Sequence, residues 1–172
     1  MNRLSVLLVA LAAGLAACNL PGVAQTQAPS PPGDCYYVWA SHDLPDLSRE
    51  VNRALSKMDP AVTGSAHAFG EDCIDAAGNS VFLTKETDFR VTVQVGSLRD
   101  EAALGFWIVK VMAVIEGLPP AGVPGPQPGR VEFTFQKNKN EVLHIQVSIQ
   151  EYRDLEPGIS GAELLRHFQP PP

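Results

Sequence analysis

The stretch DFRVTVQV (residues 88–95) alternates without a fault: Phe89, Val91, Val93 and Val95 point one way, Arg90, Thr92 and Gln94 the other. Period-two alternation marks a strand with one face on a core and one in water. The pattern returns in VEFTF (131–135) and VLHIQVSIQ (142–150), and these two runs form a hairpin whose parity can be checked. Setting Val131, Phe133 and Phe135 opposite Val147, Ile145 and Leu143 places Lys137 against Glu141. It leaves Asn138-Lys139-Asn140 as a three-residue loop, which commonly ends in a left-handed residue that asparagine tolerates.

Outward from these strands, YYVWAS (36–41) is aromatic and β-branched and reads as another strand. Strands are expected at 62–69 and 80–84, separated by EDCIDAAGN (71–79), whose oxygens miss the calcium-loop spacing and suit a polar turn. A helix capped by Asp43, with Pro45 in its first turn, puts Leu44, Leu47, Val51, Leu55 and Met58 on one stripe. Ser97 and Asp100 open a second helix running to about Gly117, with Leu104, Ile108, Val111, Ile115 and Leu118 as its core stripe. The five prolines and four glycines of GLPPAGVPGPQPGR (117–130) argue against helix or strand. A last helix begins at Ser160, with Glu163 as capping partner. The order βαβββαββα predicts an α+β fold, a two-layer sandwich of a mainly antiparallel sheet with helices packed on one face, over residues 34–169.

The N-terminus is of a different kind. Met1-Asn2-Arg3 carries one positive charge, Leu4 to Leu11 is apolar except for Ser5, and small residues lead to Cys18. That is a secretory signal, too short to span a bilayer. Leu15-Ala16-Ala17-Cys18 resembles the lipobox of bacterial lipoproteins. The resemblance covers residues 1–18 and implies that residues 1–17 are removed and that Cys18 is acylated as the first mature residue. It places the protein on the cell membrane or outer membrane, facing the extracytoplasmic side, and Asn19 in place of aspartate favours the outer location. Residues 18–33 then form a lipidated, proline-rich tether with no charge or aromatic ring. Once Cys18 is assigned to lipid, Cys35 and Cys73 remain as an even pair in an oxidising space. A bridge would close a loop of about 40 residues, worth about 4 kcal/mol by chain entropy. The alternatives are two free thiols or a metal site, the latter poorly served by two cysteines without a CxxC or histidine pair.

The net charge of −6 repels nucleic acid and anionic lipid. Nucleophile-elbow, zinc-protease, phosphate-loop and dinucleotide motifs are absent from the sequence, and no cofactor is implied. SHDLPD gathers Ser41, His42, Asp43 and Asp46, but neighbours on a strand face opposite ways, so Ser41 and His42 do not meet there. Two features suggest binding. One is the polar outward face of three strands (Arg90, Thr92, Gln94; Glu132, Thr134, Gln136; His144, Gln146, Ser148, Gln150), with Arg90 and His144 as anchors for a sugar or peptide. The other is the sector Ala103, Phe106, Lys110, Ala113 and Gly117 of the second helix, short of charge where a solvated helix carries it. It lies under other elements or contacts a protein partner or second copy. The expectation is a membrane-anchored binding or accessory module, with a structural envelope role or an unrecognised hydrolase as alternatives.

The Cys18→Ser variant is expected to lose its lipid and leave the membrane fraction. Mass spectrometry of the mature N-terminus checks this, and an unmodified Cys18 or a cut elsewhere contradicts it.

Overall fold

The computed structural model describes residues 34–169. Cys18, the signal-like segment and the tether lie outside the described residues. The chain is α+β, with a five-stranded mixed sheet, order β1-β2-β3-β4-β5, curled into a half-barrel. Its elements are β1 (Cys35–Asp43), α1 (Pro45–Met58), β2 (Val62–Asp75), β3 (Ser80–Gln94), α2 (Glu101–Glu116), β4 (Gln127–Asn138), β5 (Glu141–Ser148), α3 (Ile149–Asp154) and α4 (Gly161–Phe168). Neighbouring strands are antiparallel except β3 and β4, which run parallel with α2 as their crossover.

Sequence expectations change in several places, and β2 itself runs on to Asp75, through residues expected as turn. The runs 80–84 and 88–95 are one strand, so the order is βαββαββαα rather than βαβββαββα. Phe69 pairs with Glu86 but Gly70 with Thr84, leaving Lys85 as an inserted bulge residue. One extra residue inverts the parity, so Val81 and Leu83 face opposite to Phe89 and Val91, and the alternation reads as two strands. Gly70 permits the close approach, since a Cβ there would sit 2.1 Å from the Leu83 carbonyl oxygen. The segment 117–130 is not wholly irregular either. It carries a 3₁₀ turn at Pro120–Gly122, and β4 starts inside it at Gln127. Pro128 falls at a ladder irregularity, and a Cβ on Gly129 would meet the Thr87 carbonyl oxygen at 2.2 Å. Finally, VLHIQVSIQ leaves the sheet at Ser148, whose hydroxyl accepts from the Glu151 amide and opens α3.

The hairpin core register is as expected, Val131↔Val147, Phe133↔Ile145 and Phe135↔Leu143. Its tip differs: Asn138 lies opposite Glu141, and no non-glycine residue among those described has positive φ. The Asn138 side chain instead accepts the amides of Asn140 and Glu141. The Lys137–Glu141 pair does form, at 2.9 Å, and with the Asn138 amide lowers the Glu141 pKa. Asp75 closes the β2–β3 turn in the same manner, its pKa lowered by bonds from Asn79.

Caps also depart from the sequence pattern. Asp100 rather than Ser97 caps α2, accepting the Ala103 amide, so the helix starts at Glu101, while Ser97 Oγ accepts only the Arg99 amide ahead of it. Asp43 belongs to β1, and the residue preceding α1 is Leu44, which makes no side-chain cap bond. Ser160 likewise makes no side-chain cap bond to α4. What holds α1 is its polar stripe against β2. Ser48 Oγ accepts the Ala66 amide and donates to its carbonyl, and Asn52 accepts the Gly64 amide. β1 reaches only as far as His67 along β2, so these side chains satisfy a strand edge that has no other strand beside it among the described residues. The adjacent stripe, Leu47, Val51 and Leu55, is buried with Val62 and Ala66.

The core joins Phe89, Val91, Val93, Val131, Phe133, Phe135, Ile145 and Val147 of the sheet to Leu104, Ile108, Val111, Met112 and Ile115 of α2, with Leu164 and Leu165 of α4. The expected α2 stripe is thus buried. Cys35 and Cys73 form a disulfide, their Cα atoms 5.4 Å apart.

Helices α2 and α4 meet at two glycines, and a Cβ on Gly105 would lie 1.8 Å from the Gly161 carbonyl oxygen. Gly105→Ala is therefore expected to destabilise the domain by about 1–3 kcal/mol, through forced separation of packed backbone. Chemical denaturation measures it, and unchanged stability contradicts the α2–α4 contact.

Candidate functional site

The strand pairings bring the expected polar residues to one face. Arg90, Thr92 and Gln94 of β3 stand opposite Glu132, Thr134 and Gln136 of β4. Gln146 and His144 of β5 continue the rows from Glu132 and Thr134, and Ser148 stands opposite Arg130. Gln150 is not part of the face, being on α3 and bonded to Asp154.

Side-chain contacts run across the strands. Arg90 Nε donates to Glu132 Oε2 at 3.1 Å, and Gln94 Nε2 donates to Gln136 Oε1 at 2.9 Å. Thr134 Oγ1 and His144 Nδ1 are 3.1 Å apart. The sequence reading missed the continuation onto β2 and β1. Arg90 Nη1 lies 3.3 Å from His67 Nε2, while His67 Nδ1 meets Asp43 Oδ1 at 2.9 Å. Ser65 Oγ is also 3.1 Å from His67 Nε2. A guanidinium only donates, so the network assigns His67 the tautomer with its proton on Nδ1, donated to Asp43. Ser65 and His67 are two apart on a strand and so share a face, which the sequence could have shown. Asp43 arrives beside them only through the β1–β2 register.

Ser65, His67 and Asp43 thus have the connectivity of a nucleophile, base and orienting acid. Two features weigh against that chemistry. Arg90 faces Nε2, so its positive charge opposes the imidazolium a general base must become. The Asp43 side chain is 86% exposed, so water screens the charge that would stabilise that imidazolium. The remaining cations of the face are also paired: Arg130 lies 3.4 Å from both Glu86 and Asp88. With Arg90 and Glu132 side chains 58% and 36% exposed, such pairs orient the groups more than they stabilise the fold. The face is a patterned array of donors and acceptors in which both arginines are held by carboxylates.

Elsewhere, His42 stacks on Phe82 at 4.0 Å and lies 3.4 Å from Asp72, away from Ser41 and Asp46. His167 contacts Glu151 at 3.0 Å. A cleft of about 280 Å³ lies where the proline-rich loop crosses the end of α2, with Phe89, Leu118 and Ile149 in its lining. Its charged lining residues Glu116 and Arg153 neutralise one another at 2.9 Å. Burial, and then the Glu116 charge, raise the nearby Tyr152 pKa. Among the described residues no three His, Cys, Asp or Glu side chains gather as a metal site. No described helix is long and apolar enough to cross a membrane. No protein-family model, curated protein or solved structure matches the chain.

The α2 sector is uncovered at its centre. Phe106 is 56% exposed, and Lys110 Nζ lies 5.2 Å from its ring centre and 4.8 Å from that of Trp107. The ammonium group thus caps the aromatic pair and supplies the polarity the sector otherwise lacks. Phe106→Glu is expected to change stability by less than about 1 kcal/mol, whereas Leu104→Ala on the buried stripe costs about 2–5 kcal/mol. Denaturation of the two variants checks the assignment, and an unfolded Phe106→Glu overturns it.

Proposed function

We propose that the chain is a lipid-anchored extracytoplasmic binding module, using the outer face of its sheet to hold an uncharged polar ligand. Two ligand classes suit it, a glycan or a peptide in extended form. In this reading the helices occupy one face of a two-layer sandwich, leaving the other face to work. The supporting observation is the lateral array from Asp43 through His67 and Arg90 to Glu132, joined by Thr134–His144 and Gln94–Gln136. Side chains already oriented by one another lose less freedom on meeting a ligand. With both arginines already held by carboxylates, the face presents mainly neutral donors and acceptors, which suit hydroxyl and amide groups. Cys18 lipidation would restrict the domain to the membrane surface, and a net charge of −6 opposes nucleic acid as a ligand.

A hydrolase is the second reading, favoured by the 2.9 Å and 3.1 Å contacts linking Asp43, His67 and Ser65. A serine-reactive phosphonate separates the two: the binding reading expects Ser65 to stay unlabelled.

Titration of the full-length protein with soluble cell-wall glycan fragments and with short peptides, followed by amide chemical shifts, tests the binding face. Shifts are expected on β3, β4 and β5, with affinity falling about ten-fold or more in the Arg90→Ala, His144→Ala double variant, consistent with loss of two polar anchors. Melting should be little altered. Shifts confined to the cleft beside Ile149, or absent with both ligand classes, contradict the proposal.

A further inference from the structure

Among the described residues, strand β1 is an outer strand of the sheet, with β2 as its one strand neighbour. Four consecutive residues in it are large, apolar and exposed: Tyr36 at 61%, Tyr37 at 53%, Val38 at 45% and Trp39 at 63%. Alternation sends Tyr37 and Trp39 to the outer face and Tyr36 and Val38 to the other, so both faces of the strand are apolar. Natural sheets blunt their edges with charge, proline, bulges or a covering helix. Cys35 to Ser41 contains no charge or proline, and its ladder with β2 runs from Cys35 to Asp43 without a shift. The same molecule covers the bare part of β2 with the Ser48 and Asn52 side chains of α1.

We propose that β1 pairs antiparallel with β1 of a second copy, joining two sheets edge to edge. This inference is independent of the ligand assigned to the outer sheet face. Opposite residues in an antiparallel pair share a face, so a two-fold axis normal to the sheet must pass midway between a residue and its own copy. Centring it on Val38 uses the whole uncharged run. Tyr37 then faces Trp39 of the second copy, Tyr36 faces Ala40, and Cys35 faces Ser41, each pair occurring twice. Asp34 meets His42 at both ends, so an acceptor carboxylate stands opposite an imidazole rather than opposite another carboxylate. Aromatic cross-strand pairs of this kind are among the more stabilising contacts in a sheet.

A lipid surface fits less well. A flat bilayer covers one face of a strand, whereas these rings lie on both. Asp34, Asp43, Glu71, Asp72 and Asp75 flank the ribbon against Lys85, which is paired with Glu71 at 3.2 Å. Tether geometry suits the dimer. The two Asp34 residues would stand about 27 Å apart along the paired strands. Each is preceded by a tether whose fifteen residues from Asn19 to Gly33 span at most about 50 Å, so both copies can be anchored in one leaflet.

The test is cysteine crosslinking of the full-length protein in membranes. Val38 opposite itself would have Cα atoms about 4.5–5.5 Å apart, within disulfide reach. Mild oxidation of Val38→Cys is expected to give at least roughly ten-fold more linked dimer than Ala77→Cys at the β2–β3 turn, given that distance requirement. Adding Tyr37→Lys or Trp39→Lys should abolish the excess, as edge lysines block strand pairing. Equal yields from the two cysteine variants overturn the proposal. So does a monomer by sedimentation of the wild-type chain in mild detergent at tens of micromolar. A Trp39 emission shift on zwitterionic vesicles with no Val38 bridge also overturns it and assigns the strand to lipid.

Discussion

The fold depends on burying α2 between the sheet and α4. Helix α2 is the crossover that lets β3 and β4 run parallel, and it supplies Leu104, Ile108, Val111, Met112 and Ile115 to the core. Parallel neighbours cannot be joined by a tight turn, so the register of the sheet centre requires this helix in this place. Gly105 marks how close the contact is, because α4 backbone occupies the space a side chain would take. α1 adds its own apolar stripe at one end, while Ser48 and Asn52 complete the strand edge it covers.

The ribbon formed by β1 with the distal parts of β2 and β3 is held differently. The main core takes Val62 and Ala66 from β2 and no buried residue beyond them. Past that point the strands rely on the Cys35–Cys73 disulfide, on Trp39 stacked against Phe69 at 5.3 Å, and on His42 against Phe82. The disulfide ties the start of the edge strand to its neighbour where helical packing has ended. The ribbon thus stays ordered while leaving its aromatic edge in water, and order without cover is what an interaction surface requires. The outer sheet face has the same property by other means, its polar groups held by one another.

Much of this was legible from residue order alone. The alternation in 88–95 and 131–147 identified the inward residues Phe89, Val91, Val93, Val131, Phe133, Phe135, Ile145 and Val147, all buried. The heptad-like spacing in 44–58 and 104–118 identified the helical stripes, and cysteine parity suggested the 35–73 bridge that the structure contains. Arg90, His144 and Gln146 were placed on a common face because side-chain direction in a strand is set by parity. These are local consequences of backbone geometry, and a sequence carries them explicitly.

What parity could not carry was anything dependent on a neighbouring strand. The Lys85 bulge exists because Gly70 lets β2 approach the Leu83 carbonyl, so a single strand was read as two. Asp43 looked like a helix cap and became the partner of His67, since the β1–β2 register puts those two opposite. Pro128 and Gly129 looked like loop residues and entered β4, since the parallel ladder tolerates an irregularity there and glycine leaves room for Thr87. The exposure of Tyr36 to Trp39 was equally invisible: apolar content marks a strand, but position at the edge of the sheet decides whether water reaches it. Residue order determined which groups point together along one element. Which elements lie side by side was decided by the tertiary burial of α2, because that choice minimises exposed apolar surface over the whole chain rather than within any one segment.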